Sequence, residues 1–202
     1  MAVRFVVLAS GSGSNLQAVL DACASGRLPG DVVAVVTNKP DALALERAAT
    51  AGVPTRVLVA EPGEPRPLYD ARLAECVGTF SPDWVVLAGW MRLLTMAFLG
   101  EFRSRVINLH PALPGEFPGT HAIERAFDEA RTGRRDHTGV MVHLVPDEGV
   151  DDGPVLATAR VSILPGDSLA DLEARVHLVE HDLLVRTLAR LSSPEPQEAR
   201  HP

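Results

Sequence analysis

Phe5-Val-Val-Leu-Ala9 is a continuous apolar run, and Ser10-Gly-Ser-Gly-Ser-Asn15 follows it directly. Such a run is typical of a strand that is buried on both faces of a parallel sheet, and the glycines after it indicate a tight turn. The next apolar residues recur at helical spacing: Leu16, Val19, Leu20 and Cys23. We expect a helix there with Ser14 or Asn15 as its N-cap.

The alternation of strand and helix patterns continues to about residue 121. Further strands are predicted at 31–37, 55–59, 84–88 and 105–109, and helices at 43–52 and 69–80, with a loop at 61–67. This order predicts an α/β fold with a parallel sheet. Beyond it we expect a helix at 122–130, two β-rich runs at 138–145 and 154–163, and a long amphipathic helix at 168–191.

Length and composition indicate one acidic globular domain. The chain has 202 residues, a net charge of -7 and 46% hydrophobic residues, which excludes a disordered protein and argues against one that coats nucleic acid. No apolar run approaches a membrane span, so we expect no membrane partner and a cytoplasmic location. We expect one domain over 1–191, and a disordered tail over 192–202 because prolines recur there. Cys23 and Cys76 are predicted to be buried thiols outside any metal or disulfide framework.

The glycine loop has two interpretations. Glycines before a helix start allow a phosphate to approach free backbone N–H groups, but they also suit a merely structural turn. Leu16 stands where a dinucleotide fingerprint would have its third glycine, and no P-loop lysine follows. The loop therefore favours a phosphate over a nicotinamide cofactor.

Asn108 and His110 lie two residues apart on a predicted strand and so point to the same face. In open α/β sheets ligands bind at the carboxyl ends of the strands, where Asn stabilises an oxyanion and His relays a proton. The other interpretation is a strand end with two polar side chains. The acidic loop that holds Asp147, Glu148, Asp151 and Asp152 is likewise either a solvated turn or a source of a carboxylate for His110.

Taken together, these segments resemble the phosphoribosylglycinamide formyltransferases, a folate-dependent family of purine synthesis. The resemblance runs from Phe5 to about Ala189 and rests on motifs in a common order. They are Ser10-Gly-Ser-Gly-Ser-Asn-Leu-Gln17, Leu87-Ala-Gly-Trp-Met-Arg-Leu-Leu94, Ile107-Asn-Leu-His-Pro111, Phe117-Pro-Gly-Thr-His121, His137-Thr-Gly-Val-Met-Val-His143, Val150-Asp-Asp-Gly-Pro154 and Glu180-His181. It implies a Rossmann-like, mostly parallel sheet with an antiparallel C-terminal extension, the formyltransferase fold.

The resemblance also implies a reaction and its catalytic residues. The amine of glycinamide ribonucleotide attacks the formyl carbon of the co-substrate 10-formyltetrahydrofolate, and tetrahydrofolate leaves. Asn108 would hydrogen-bond the oxyanion, His110 would act as imidazolium and proton relay, and Asp151 would raise the pKa of His110. Asp151 is preferred to Asp152 because it preserves the family's spacing to Gly153-Pro154. No metal is implied.

Binding residues carry over in the same way. The N-terminal half would hold the ribonucleotide phosphate on Gly13, Ser14 and Asn15, with Glu180 of the last helix on the ribose. The residues implied for the folate are Arg66, Met91, Arg92, Leu93, Leu94, Asn108 and Asp147. We expect structural or surface roles for four further histidines, His121, His137, His143 and His181. Two of them, His121 and His137, are kept as candidates for supporting the site.

The segment after the catalytic histidine departs from the family. The usual His-Pro-Ser-Leu-Leu-Pro-Lys-Phe-Pro-Gly is here His110-Pro-Ala-Leu-Pro-Gly-Glu-Phe-Pro-Gly119, in which Glu116 reverses a positive charge. We expect an altered loop path there.

Three alternatives remain for comparison. A methionyl-tRNA formyltransferase would carry a basic C-terminal domain, and a formyltetrahydrofolate hydrolase an N-terminal regulatory domain, and we expect neither here. A non-catalytic nucleotide-binding module would need the glycine loop but not Asn108, His110 or Asp151. The sequence leaves a monomer and a homodimer open.

Overall fold

The structure, a computed structural model, describes residues 2–193. Its strands within that range are β1 Val3–Leu8, β2 Gly30–Thr37, β3 Thr55–Val57, β4 Trp84–Leu87, β5 Val106–His110, β6 His137–Leu144 and β7 Val155–Ser162. Its helices are α1 Ser14–Ala24, α2 Leu43–Thr50, α3 Arg66–Gly78, α4 Met96–Leu99, α5 Ala122–Arg131 and α6 Leu169–Ser192. The strands agree with the predicted ones to within a residue or two.

All of these strands form one sheet in the order β3-β2-β1-β4-β5-β6-β7. The first five are mutually parallel, and β6 and β7 are antiparallel to their neighbours. The predicted α/β class, with a mostly parallel sheet and an antiparallel C-terminal extension, is confirmed. The strands that follow β1 lie on both of its sides, with β2 and β3 on one side and β4 to β7 on the other. The carboxyl ends of β1 and β4 therefore flank a topological switch point.

Each face of the sheet is covered by its own core, and β1 is apolar at every position from Phe5 to Leu8. Phe5 and Val7 face a core that contains α1, α2 and α6, whereas Val6 and Leu8 face a second core with α3 and α4. A strand covered on both sides needs no polar alternation, which is why its sequence reads as a continuous apolar run.

The first helix begins differently from the prediction. Gly13, not Ser14 or Asn15, is the N-cap of α1, in a left-handed conformation with φ +70° and without a side-chain cap. A Cβ atom at Gly13 would lie 2.8 Å from the Cα of Ala44, so this turn requires glycine for both its torsion and its space. The serine and asparagine side chains are thereby left out of capping.

Two smaller expectations were wrong, and one short helix was not anticipated. Helix α3 begins at Arg66, inside the predicted loop, because Pro67 is compatible with a first helical turn. The four-residue α4 was missed, since it is too short to show a periodicity. Cys23 and Cys76 are free thiols, but both are half-buried rather than buried.

Helix α6 begins with a capping box. The Ser168 hydroxyl accepts a hydrogen bond from the Asp171 N–H, and the Asp171 carboxylate accepts one from the Ser168 N–H. Of the predicted tail, residues 194–202 lie outside the described residues. None of the described helices combines the length and the apolar character that a membrane crossing demands.

Candidate active site

Asn108 and His110 share the face of β5 that also carries Val106. The intervening Ile107 and Leu109 point into the opposite core, under α6. The two polar side chains thus lie at the carboxyl end of the strand, on the sheet face whose core contains α3 and α4. The predicted common orientation of Asn108 and His110 follows from this alternation.

Asp151 lies beside both of them, although it comes from the loop between β6 and β7. Its Oδ2 is 3.3 Å from His110 Nδ1 and accepts a hydrogen bond from the Gly119 N–H at 2.8 Å. Its Oδ1 accepts a hydrogen bond from the Asn108 amide at 2.9 Å. Asp152, by contrast, is exposed. The structure therefore brings Asp151 to the two polar residues of β5.

His143 is a fourth member of this cluster, and its position was not anticipated. Its Nδ1–H donates to the Leu144 carbonyl at 2.8 Å, so in the neutral ring Nε2 is free to accept from the Asn108 amide at 3.1 Å. The same Nε2 is 3.5 Å from Asp151 Oδ1. Because His143 is the antiparallel partner of Asn108, only the register of β5 on β6 could have revealed it.

The electrostatics of His110 differ from expectation. Both ring nitrogens face oxygen acceptors, since Nε2 lies 3.1 Å from the Phe117 carbonyl and Nδ1 faces Asp151. Burial nevertheless lowers the pKa of His110, and this outweighs the opposing effects of the Asp151 carboxylate and the Phe117 carbonyl. The expectation that Asp151 raises this pKa is right for its own contribution and wrong for the net direction.

Asp151 itself is held as a carboxylate. Burial would raise its pKa, but the neighbouring His143, the hydrogen bond from the Gly119 N–H and the nearby His110 lower it overall. A carboxylate beside a neutral imidazole gives the site a ready acceptor for one additional proton.

The cluster forms part of the wall of a cleft of about 710 Å³. The loop after β4 lines the cleft with Met91, Arg92, Leu93 and Leu94, and Asp147 lines it from the β6–β7 loop. Two of these apolar side chains are exposed, at 65% for Met91 and 47% for Leu93, and they present apolar surface to the cleft. A mostly apolar cleft with a few polar groups is typical of a small-molecule site.

A second group of predicted residues meets where α1 begins. Asn15 donates from Nδ2 to Glu180 Oε2 of α6 at 3.3 Å, and its own buried Oδ1 has no partner among the described residues. His177 Nδ1 lies 2.8 Å from the same carboxylate oxygen, and this contact raises the pKa of His177. Ser14 is the first residue of α1, where backbone N–H groups are unpaired. An anion or hydroxyl-bearing ligand would find donors and acceptors there.

The sequence profile of the formyl transferase family matches residues 3–188. The chain belongs to the formyl transferase family. The phosphoribosylglycinamide formyltransferase of Escherichia coli K12 is 44% identical over 179 residues, which cover 89% of this chain and 82% of that protein. The phosphoribosylglycinamide formyltransferase of Schizosaccharomyces pombe is 44% identical over 203 residues, covering 95% of this chain and 98% of that protein. The crystal structure of the Bacillus halodurans enzyme of the same name superimposes with a TM-score of 0.88 at 36% identity, covering 98% of this chain and 100% of that chain.

Ser10 connects two loops of this formyl transferase. Its buried hydroxyl donates to Asn38 Oδ1 at 2.7 Å and accepts from the Met91 N–H at 3.1 Å. The loop that precedes α1 is therefore tied to the loop that lines the cleft. Sequence reasoning placed Ser10 in the glycine motif but gave it no such role.

Other predicted residues of the formyl transferase lie apart from the cluster. Arg66 is exposed at the start of α3 and is not among the residues that line the cleft. His121 lines the cleft but is exposed and pairs with Glu124. His137 pairs with Asp136 at the surface and does not reach the cluster. His181 is half-buried, and its Nε2 has no partner among the described residues.

Within residues 2–193, no three His, Cys, Asp or Glu side chains are grouped to hold a metal ion. The polar groups of the cluster instead bind one another, as charged and hydrogen-bonding partners around Asp151.

Proposed function

We propose that this formyl transferase moves the formyl group of 10-formyltetrahydrofolate to the amine of glycinamide ribonucleotide in purine synthesis. The observation that carries the proposal is the Asp151 carboxylate, which contacts both Asn108 and His110 at the wall of an apolar cleft. The names of its relatives support the ribonucleotide as the formyl acceptor, since proteins 44% identical over most of the chain are phosphoribosylglycinamide formyltransferases.

The reaction exchanges one carbon–nitrogen bond for another. The amine nitrogen forms a bond to the formyl carbon, the bond from that carbon to the folate nitrogen breaks, and one amine proton ends on the leaving nitrogen. The protein must therefore accept a proton and return it. His110 is suited to this, because burial keeps it neutral while acceptors for both ring N–H groups are already in place.

After uptake of the proton, both ring nitrogens of His110 would have oxygen partners. In the neutral ring one nitrogen presents a lone pair to an oxygen, and after protonation both nitrogens donate, to the Phe117 carbonyl and to Asp151. The resulting imidazolium would stabilise negative charge on the formyl oxygen. Such fixed partners lower the barrier because they need not reorganise during the reaction.

Asn108 supplies the hydrogen bond to that oxygen in the proposal. In the structure its amide hydrogens donate to Asp151 and to His143. The developing oxyanion would take over one of these hydrogens. His143 would then serve to hold the amide in the orientation that directs NH₂, rather than the carbonyl, to the reacting atoms.

Binding of the two substrates would be divided between the two regions that Ser10 connects. Gly13, Ser14 and Asn15 would hold the ribonucleotide phosphate at the start of α1, and Glu180 would accept from the ribose hydroxyls. The loop from Met91 to Leu94, with Asp147 opposite, would enclose the flat heterocycle of the folate. Arg92 is directed over the Tyr69 ring at 4.4 Å, so its backbone rather than its charge would face the folate.

Arg66 lies outside the cleft, so its proposed contact is with the glutamate tail of the folate, which extends away from the heterocycle. The proposal also includes a single domain over 1–191 and a cytoplasmic location. The protein would act on small molecules rather than on nucleic acid, as a monomer or a homodimer.

The test is a formyl-transfer assay with both substrates, monitored by the absorbance of the folate product. We expect turnover by the native chain, loss of turnover in His110→Ala with ribonucleotide binding retained, and near-native turnover in the surface control His137→Ala. Absence of turnover in the native chain would overturn the proposed substrates. Unchanged turnover in His110→Ala would overturn the proposed role of His110. Ribonucleotide binding without turnover in the native chain would instead favour a nucleotide-binding module whose glycine loop alone matters.

A further inference from the structure

The carbonyl that faces His110 belongs to a strained residue. Phe117 has a φ of +45°, a conformation that costs a bulky side chain free energy and persists only when its surroundings impose it. Two residues further on, the Gly119 N–H donates to Asp151. The short segment 117–119 thus contacts both members of the His110–Asp151 pair.

Two arginines hold the Phe117 ring. The guanidinium carbon of Arg135 lies 4.6 Å from the ring centroid and that of Arg125 lies 5.2 Å from it. Arg125 also donates to the Pro118 carbonyl at 2.9 Å. A cation at this distance is attracted to the ring face, most strongly where water is excluded.

Arg135 is itself fixed on several sides. It donates to Glu116 at 2.7 Å, to Glu129 of α5 at 3.1 Å and to the His137 carbonyl at 3.2 Å, and its side chain is only 15% exposed. It therefore ties the loop that carries Phe117 to α5 and to the start of β6. Glu116, whose charge is opposite to the one usual in the family, forms an ion pair with Arg135.

We propose that Arg135 is a positioning residue for formyl transfer, which clamps Phe117 between Glu116 and α5 so that the Phe117 carbonyl stays on His110 Nε2. The proposal rests on the function proposed above. Arg135 does not touch the cleft, so its effect would pass through the backbone of 116–119 to the ring of His110.

The clamp would affect the pKa of His110, which a purely structural ion pair would not. The groups that face His110 are the carboxylate of Asp151, the ring of His143 and the carbonyls of Glu116 and Phe117. Each carbonyl stabilises the imidazolium form. Loss of the clamp would remove part of that stabilisation and lower the pKa of His110 further.

The experiment compares Arg135→Gln with Arg135→Lys and with the exposed neighbour Arg134→Gln as matched control. We expect Arg135→Gln to lower kcat about tenfold with KM for both substrates within about twofold, because misplacement affects the reacting groups more than binding. The acid limb of its pH profile moves to lower pH. Arg135→Lys restores most of kcat, since it keeps the cation on the ring, and Arg134→Gln behaves like the native chain.

A titration of the His110 ring by NMR provides a measurement independent of turnover. A lower pKa of His110 in Arg135→Gln supports the clamp even if the substrates differ from those proposed. A native kcat and a native His110 titration in Arg135→Gln would overturn it. A kcat loss explained wholly by a smaller folded fraction, with no change in titration, would also overturn it. If Arg135→Gln does not fold, Glu116→Gln, which removes only the loop-side carboxylate, carries the test with the same expected direction.

Discussion

Asp151 is the residue at which the site is assembled. It contacts Asn108, His110, His143 and the Gly119 N–H, and its backbone is left-handed with φ +55°. Asparagine tolerates this conformation as well as aspartate does, so Asp151→Asn removes the charge with little change in shape. We expect kcat to fall about 10²–10⁴-fold, the usual range for loss of acid–base catalysis.

The neighbouring Asp152→Asn is the matched control, since that side chain is exposed and one position along the same loop. Steady-state kinetics of both variants are the measurement. Equal losses in the two variants would mean that the loop's overall charge, rather than the contact with His110, is what counts.

The protonation state of His110 gives a second prediction at this scale. Its pKa is lowered by burial, and the neutral ring is the form that accepts the amine proton. The value of kcat/KM should therefore be maintained at neutral pH and fall as the pH drops through a value below the ordinary 6.5. A pH–rate profile measures this directly, and an acid limb at or above 6.5 would contradict the order of effects around the ring.

Residue-scale sequence reasoning was limited by what spacing alone determines. The alternation of a strand puts Asn108 and His110 on one face, which the structure bears out. The contact of Asp151 with His110 depends on how a loop folds back, and the place of His143 depends on strand register. Neither is encoded locally. The partner of Glu116 is likewise Arg135, nineteen residues away.

At the scale of single elements, the turn into α1 is constrained in both torsion and space. A Cβ at Gly13 would meet the backbone of Ala44 at 2.8 Å, whereas one at Gly11 would meet nothing within 4 Å. Gly13→Ala should therefore cost about 1–3 kcal/mol of unfolding free energy and raise KM for the ribonucleotide, because its φ is +70°.

Gly11→Ala, in the same loop, is expected to change stability little and serves as the control. Chemical denaturation and ribonucleotide titration measure the two effects. If both variants lose equal stability, the strain at Gly13 is not what determines this turn.

The capping box of α6 provides another test. Ser168→Ala removes the acceptor for the Asp171 N–H and should lower the unfolding free energy by about 1 kcal/mol. Ser193→Ala, at the other end of the same helix, should stay within about 0.5 kcal/mol. Urea unfolding distinguishes them, and an unaffected Ser168→Ala would show that packing alone fixes the start of α6.

Elements with strong periodicity were predictable and short or unusual ones were not. The long α6 and the apolar strands carry many residues of consistent pattern. The four-residue α4 carries too few, and the start of α3 was obscured because Pro65 and Pro67 read as loop residues although proline suits a first helical turn.

For the whole molecule, the net charge of -7 means that anionic substrates must be attracted by local groups rather than by the overall field. The proposed ribonucleotide site joins α1 to α6, two elements that pack in the same core. Ribonucleotide at 100 times its Kd should add about 2.7 kcal/mol to the unfolding free energy.

Thermal unfolding with and without ribonucleotide measures this, and Glu180→Gln should weaken the shift. A control with free phosphate distinguishes an anion effect from recognition of the whole ribonucleotide. No shift at concentrations that saturate turnover would place the ribonucleotide elsewhere.

The strand order also governs how the chain acquires its structure during synthesis. β1 ends at Leu8, but its neighbour β4 begins only at Trp84. At a translation rate of about 5–20 residues per second, one edge of β1 therefore stays without its partner strand for about 4–15 s. The core that contains α1, α2 and α6 forms later still, because α6 follows every other described element along the chain. We therefore expect the nascent chain to expose the apolar residues of β1 and α1 until α6 has left the ribosome.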